Sequence, residues 1–414
     1  MNKYDVIVVG AGPAGLMAAG QAANSGAKVL LLEKMDTPAN KLRITGGSRC
    51  NITNSAPINK FIKSFGINGR FLRPVFSRFF STELLHFFEN SGLRFVTEPD
   101  GKIFPEDDKS DTIVNFLINW ARERGVTLQT GFSADQLLIE NGKITGVKGS
   151  SDKVYYSESV IITTGGASYP STGSRGDGYA LAESAGHTII KIKPSLVPLE
   201  IAGNIAPDLQ GVSLSNVTVR ILVNGKNLSS RSGEMIFTHY GVSGPMILLL
   251  SKTVVELLIV KQKVFLSIDL KPDMDENILD AFLLSEIKTH GKQHFKTLLK
   301  ECLQKKIASV CMNILNIQPD KLCSQINVTE RKQLRMWLKD FRMEVKNYRP
   351  LPEAIITAGG VNTKEIDPNT MESQLIKGLY FAGEVLDLDA ETGGYNLQAA
   401  FSTGWMAGKT AAIN

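Results

Sequence analysis

Two groups of side chains in this 414-residue chain have the types and spacing for chemistry. The first is a run of cations and one thiol, Lys41, Arg43, Arg49 and Cys50, set among Gly46, Gly47 and Asn51. A nearby cation lowers a thiol's pKa, so Cys50 is a candidate proton donor; the alternative is a small side chain packed in its loop. Lys41 and Arg49 are candidates for holding a phosphate or a substrate anion. The second group centres on His239, in Phe237-Thr-His-Tyr-Gly241, a candidate acid, base or substrate contact, or else a histidine bonding a strand end. His86, His187, His290 and His294 have no paired acid or nucleophile and read as structural. Cys302, Cys311 and Cys323 read as core thiols. No Cys or His spacing suits a metal, so none is expected.

These residues need elements to position them, and the first is at the start of the chain. Val6–Val9 is an apolar β-branched run that leads into Gly10, Gly12, Pro13, Ala14 and Gly15, and the residues from Leu16 to Ala23 read as helix. Gly10 permits a tight turn, Gly12 lets backbone approach a pyrophosphate, and Gly15 lets helix and strand pack closely. The helix N-terminus offers unpaired N–H groups and a positive dipole end to a diphosphate. A second strand, 28–32, ends at Glu33 and Lys34, where a carboxylate can bind a ribose diol.

Two later elements choose the dinucleotide. Ile162-Thr-Thr-Gly-Gly166 brings Thr164 and Gly165 to the end of another apolar strand. Gly378-Leu-Tyr-Phe-Ala-Gly-Glu384 is a strand ending in Gly383 and Glu384, and Thr392-Gly-Gly-Tyr-Asn-Leu-Gln398 opens the last helix. In this order the three elements resemble flavoproteins of the glutathione-reductase-like superfamily. The resemblance implies a Rossmann-like α/β domain that binds FAD, with the last helix aiming Gly394, Tyr395, Asn396 and Leu397 at the flavin. Positive helix dipole ends favour negative charge on a reduced flavin. Tyr169 and Asp177 are candidates for ordering the middle loop. No second G-x-G-x-x-G occurs, so an NAD(P)H that reduces the flavin is expected to dock transiently in the open site and leave; the alternative is an oxidase or a protein electron donor.

A narrower resemblance covers the whole chain. Lys41-Leu-Arg-Ile-Thr-Gly-Gly-Ser-Arg-Cys-Asn-Ile-Thr-Asn54 is similar to the signature of the HI0933-like (YhiN/BaiN-type) flavoproteins. So are Gly101–Pro105, Thr164–Tyr179, Gly233–Pro245 and Thr370–Ser373. Thr45 and Ser48 depart from the usual Ser-Gly-Gly-Gly-Arg-Cys-Asn. The resemblance implies an FAD-dependent oxidoreductase with a β-barrel-like insert and a helical subdomain. Within the family it leaves open reduction of a uridine in ribosomal RNA, steroid-ring reduction and aminoacetone oxidation. A flavin-containing RNA- or assembly-binding protein without turnover is the non-enzymatic alternative.

The expected boundaries are an FAD domain at 1–190 and 352–414, a β-rich insert at 191–271 and 341–351, and a helical insert at 272–340. Strands are expected in a meander that begins with 126–130, and helices at 71–80, 81–90 and 112–124. No apolar run approaches the ~20 residues that cross a membrane, and the sparse cysteines fit a reducing cytoplasm. Net charge is only +5, but residues 37–82 contain eight Lys or Arg and no acid, a local +8. Such a segment can hold phosphate, attract an anionic substrate such as RNA, or be a solvated surface. Residues 251–350 carry 18 basic and 12 acidic residues, a local +6 that reads as charged helical surface.

Overall fold

Val6–Val9, Val29–Leu32, Val160–Ile162 and Leu379–Phe381 are buried at every residue. Strands covered on both faces read as continuous apolar runs and pair in parallel, and these do. In this computed structural model, which describes residues 3–150 and 152–413, they form a five-stranded sheet. Its order is 379–381, 160–162, 6–9, 29–32 and 127–129. Thr127–Gln129 is thus the parallel edge of the main sheet. The antiparallel meander begins only at Ala134–Glu140 and continues through Lys143–Gly149 and Val154–Tyr156.

Two helices cross behind this sheet at backbone contact. A Cβ at Gly404 or Gly408 of the last helix, Tyr395–Ala411, would lie 2.3 or 2.2 Å from the carbonyl of Ala14 or Ala18. The first helix, Pro13–Asn24, also receives the Trp120 ring over Gly20. The expected helix at 71–80 is instead a 3-10 turn, Gly66–Leu72, followed by the short helix Arg73–Phe76. Pro74 explains the break, since proline fits only the first turn of a helix.

The chain divides into two units: residues 1–193 with 355–414, and residues 194–354. The second unit holds a closed antiparallel barrel in the order 199–201, 241–243, 226–237, 213–223, 264–269 and 341–348. The barrel shares one apolar core with the helices of 276–339, so strands and helices of the insert form a single unit. The most apolar stretch of the chain lies in the helix Pro245–Ile259 of this unit. Among the described residues no helix is long and apolar enough to cross a membrane.

Candidate cofactor site

The three fingerprint glycines sit in three different environments. Gly10 has φ +101°, and a Cβ there would sit 2.7 Å from the Thr163 carbonyl. A Cβ at Gly15 would sit 1.8 Å from the Gly10 carbonyl. Gly12 has an ordinary extended backbone, and a Cβ there meets nothing of this chain within 4 Å. Neither conformation nor packing asks for glycine at position 12, and its backbone is left open to close approach from outside the chain. The helix that follows has no side-chain cap. Leu16 N–H donates to the Gly12 carbonyl, whereas the Ala14 and Gly15 N–H groups have no acceptor among the described residues, and Pro13 has none to satisfy. Such an end is a ready anion site.

Glu33 is fixed beside this loop. Its Oε2 accepts from the Ala11 N–H at 2.8 Å and its Oε1 from the Met35 N–H at 2.9 Å. Each oxygen keeps lone-pair capacity for a ribose hydroxyl. Lys34 turns the other way and pairs with Asp177, the first residue of the helix Asp177–Ser184. Asp177 therefore does order the middle loop onto the second strand's end. Tyr169 holds a left-handed turn there and accepts from the Thr172 hydroxyl at 2.7 Å. Gly165 is also left-handed at φ +73°, and Thr164 Oγ1 is buried with no partner. An orphaned buried hydroxyl costs free energy unless a ligand bonds it.

Glu384 is the hub of a network that links distant segments. Its Oε2 accepts from Lys41 Nζ at 2.6 Å, and its Oε1 from the Thr357 N–H at 3.0 Å. Lys41 Nζ also donates to Ser168 Oγ at 2.8 Å. Gly383, at φ +78°, lets this strand end approach the first helix: a Cβ there would be 2.8 Å from the Ala14 methyl. Ser168 and Thr357 were not legible as site residues; Thr357 in particular lies in an apolar strand with no local signal.

The last helix starts against Thr53–Asn54. A Cβ at Gly394 would lie 2.3 Å from the Thr53 carbonyl, Asn54 Nδ2 donates to the Gly393 carbonyl at 3.0 Å, and Thr53 Oγ1 bonds Gln398 Oε1 at 2.5 Å. The Tyr395, Asn396 and Leu397 N–H groups have no acceptor among the described residues. The side chains of Tyr395 and Asn396 do not serve as expected. The Tyr395 ring is buried edge-on against Phe61, centroids 4.6 Å apart. Asn396 clasps the preceding loop through the Ala390 N–H at 2.9 Å and the Ala390 carbonyl at 3.0 Å. What this helix presents is its backbone.

Three expectations built on charge need correction. Cys50 is fully enclosed, and burial pushes its thiol up to about 12 rather than down. Arg49 does not face it. The guanidinium bonds Asp108 Oδ1 at 2.9 Å and Glu98 Oε1 at 2.9 Å and lies 4.0 Å over the Phe104 ring. Asp108 and then Glu98 hold its pKa above the ordinary arginine value, and its donors are spent on carboxylates, not on a cofactor phosphate. Lys41 likewise serves Glu384 directly. His239 belongs to the second unit, exposed in the turn between Lys226–Phe237 and Gly241–Ser243, with its ring edge-on to Tyr240 at 4.8 Å. Arg349 stacks 4.5 Å over that tyrosine and bonds Glu353 and Glu200.

Taken with the open Gly12 and the orphaned Thr164, two uncapped helix ends fit a dinucleotide at its diphosphate and at its ring. The sequence profile of the HI0933-like protein Rossmann domain matches residues 4–410. The chain is 30% identical to the ribosomal RNA dihydrouridine synthase of Escherichia coli K12, covering 98% of this chain and 97% of that one. It is also 30% identical to the 3-dehydro-bile acid delta(4,6)-reductase of Clostridium scindens, covering 100% and 99%. In fold it is similar to the 3-ketosteroid-delta4-(5alpha)-dehydrogenase of Rhodococcus jostii RHA1, with a TM-score of 0.54, 16% identity, and coverage of 99% of this chain and 97% of that one. The chain belongs to the HI0933-like family and is an FAD-dependent oxidoreductase.

Proposed function

We propose that this protein saturates a carbon–carbon double bond conjugated to a carbonyl, and that its substrate is a uridine in ribosomal RNA. Both full-length relatives described above are named for reductive chemistry on an unsaturated ring, one in ribosomal RNA and one in a bile acid. One observation favours RNA. Of the eight cations in 37–82, Lys60, Lys63, Arg70, Arg73 and Arg78 are exposed and have no carboxylate within ion-pair distance among the described residues. A bile acid needs no such field, whereas phosphate contacts dominate RNA affinity.

FAD, when bound and reduced by NAD(P)H, would supply the hydride. In this reading the amides of Ala14 and Gly15 hold its diphosphate, Glu33 its ribose, and the amides of Tyr395, Asn396 and Leu397 the electron-rich edge of its ring. The carbon next to the hydride acceptor needs a proton, and the Cys50 thiol, enclosed in the core, does not supply it. The reaction belongs in a reducing compartment, where the four free thiols stay reduced.

The test is anaerobic. Holoprotein is bleached with NADPH or NADH and mixed with ribosomal RNA from cells that lack the gene. We expect flavin absorption to recover and a uridine to gain two hydrogens, seen by mass spectrometry of the nucleosides. Recovery with a conjugated steroid enone and none with RNA would move the function to small-molecule ring reduction. Peroxide release on adding an amine would make the protein an oxidase.

A further inference from the structure

Four of the five cations without a carboxylate partner lie close together in the chain, and the fifth, Arg78, donates to the Asn369 carbonyl at 3.3 Å. Lys60 and Lys63 lie on one face of the helix Ile58–Ser64, at i and i+3. Arg70 ends the turn Gly66–Leu72, and Arg73 opens the helix Arg73–Phe76. These pieces share a buried aromatic underside: the Phe61 and Phe65 rings pack on Phe76 at 5.7 and 6.5 Å. These four cations therefore belong to one solvent-facing cover over a single aromatic cluster. At its tip is Ile67, 95% exposed.

This tip is held stiffly. A Cβ at Gly69 would lie 1.8 Å from the Ile62 carbonyl, so the turn lies directly on the helix. Asn68 Nδ2 donates to the Asp387 carbonyl at 2.8 Å and to its carboxylate at 2.7 Å. Asp387 follows the Gly383–Glu384 strand end, and Phe61 supports Tyr395 at the start of the last helix. The basic cover is thus anchored at two points to the segments that hold the cofactor.

We propose that this face docks the RNA: Lys60, Lys63, Arg70 and Arg73 bind successive phosphates, and Ile67 lies against an unstacked base. The proposal rests on the RNA reading above and adds where the strand is held. Charge complementarity selects the occupant, four unpaired cations with no acid in the same 46 residues (37–82). An anionic membrane would also attract the cations. One exposed isoleucine is too little apolar surface for it, because Phe61, Ile62, Phe65 and Phe76 all point inward. A lone apolar side chain is instead what a protein wedges against a base.

The experiment measures binding of holoprotein to labelled ribosomal RNA from gene-deleted cells, between 50 and 200 mM salt. Four phosphate contacts contribute about 0.7 each to the slope of log affinity against log salt, or about 50-fold over that range. K60Q/K63Q/R70Q/R73Q should lose that contribution while keeping its FAD content and flavin spectrum. The charge-preserving K60R/K63R/R70K/R73K should retain it. I67A should weaken binding about 5- to 10-fold with an unchanged slope. If wild type binds this RNA and the glutamine variant keeps its slope, the docking face is wrong and the RNA reading stands. If wild type does not bind or reduce the RNA, both fall. Wild-type binding to phosphatidylserine vesicles without binding to RNA would make the face a membrane contact and overturn the proposal.

Discussion

At the scale of residues, enclosure decides what Cys50 can do. Its neighbour in sequence is a cation, but its neighbours in space are the apolar residues of the main core, and Arg49 is held among Glu98, Asp108 and Phe104. A thiol with a pKa pushed up to about 12 stays protonated and unreactive at neutral pH. Iodoacetamide at pH 8 should therefore alkylate the half-buried Cys302 and spare Cys50 in the native protein, as read by peptide mass spectrometry. Cys50→Ala should keep FAD and cost about 1–2 kcal/mol of stability, the size of a small cavity. Rapid alkylation of Cys50, or a hundredfold loss of turnover in C50A with FAD retained, would return the thiol to the chemistry. The pairing of Arg49 could not be read from residues 41–54, because both of its acids lie about 50 or more positions away.

At the scale of elements, the fingerprint loop separates folding from binding within six residues. Gly15 is required by the chain itself, whereas nothing in the chain requires Gly12. Gly15→Ala forces its new methyl into the Gly10 carbonyl and should cost more than about 2 kcal/mol, seen as a lower melting temperature. Gly12→Ala meets no atom of the chain and has an ordinary backbone. It should melt within about 0.5 kcal/mol of the wild-type apoprotein, yet bind FAD at least tenfold more weakly by fluorescence titration. Equal FAD affinity in G12A would place the diphosphate elsewhere. The last helix makes the same point in reverse. Its glycine-rich start was legible, but the work of Tyr395 and Asn396 as struts was not, since Phe61 and Ala390 are what they hold.

At the scale of the whole molecule, His187 makes stability depend on pH. It is buried, bonded to Glu365 Oε2 at 3.1 Å and Ser373 Oγ at 2.8 Å, and its ring lies edge-on to Phe381 of the main sheet. Burial lowers its pKa below 6.5, and the pull of Glu365 does not reverse that. The fold therefore prefers the neutral ring. Its contribution is full above pH 6.5 and is lost as the pH falls through the lower folded value, where the unfolded chain already binds the proton. Glu365, also held below its usual 4.5, adds a second loss at more acidic pH. Melting temperature should fall between pH 7 and 5 in the wild type. His187→Gln should be less stable overall but flatter across that window. Parallel curves would remove His187 as the titrating group.

The Rossmann-like core, the FAD elements and the family were legible in the chain, because apolar runs, glycine spacing and helix starts are set by neighbours a few residues apart. So was the positive charge in 37–82. Only the tertiary structure decided how that charge is used. Folding brings Glu384 to Lys41 across 343 positions and Glu98 and Asp108 to Arg49, and it brings nothing acidic into ion-pair range of Lys60, Lys63, Arg70 or Arg73 among the described residues. Coulomb attraction and desolvation act over ångströms in space, not over positions in a chain, so which cations are neutralised and which thiol is sealed became definite only once the sheet had closed around them.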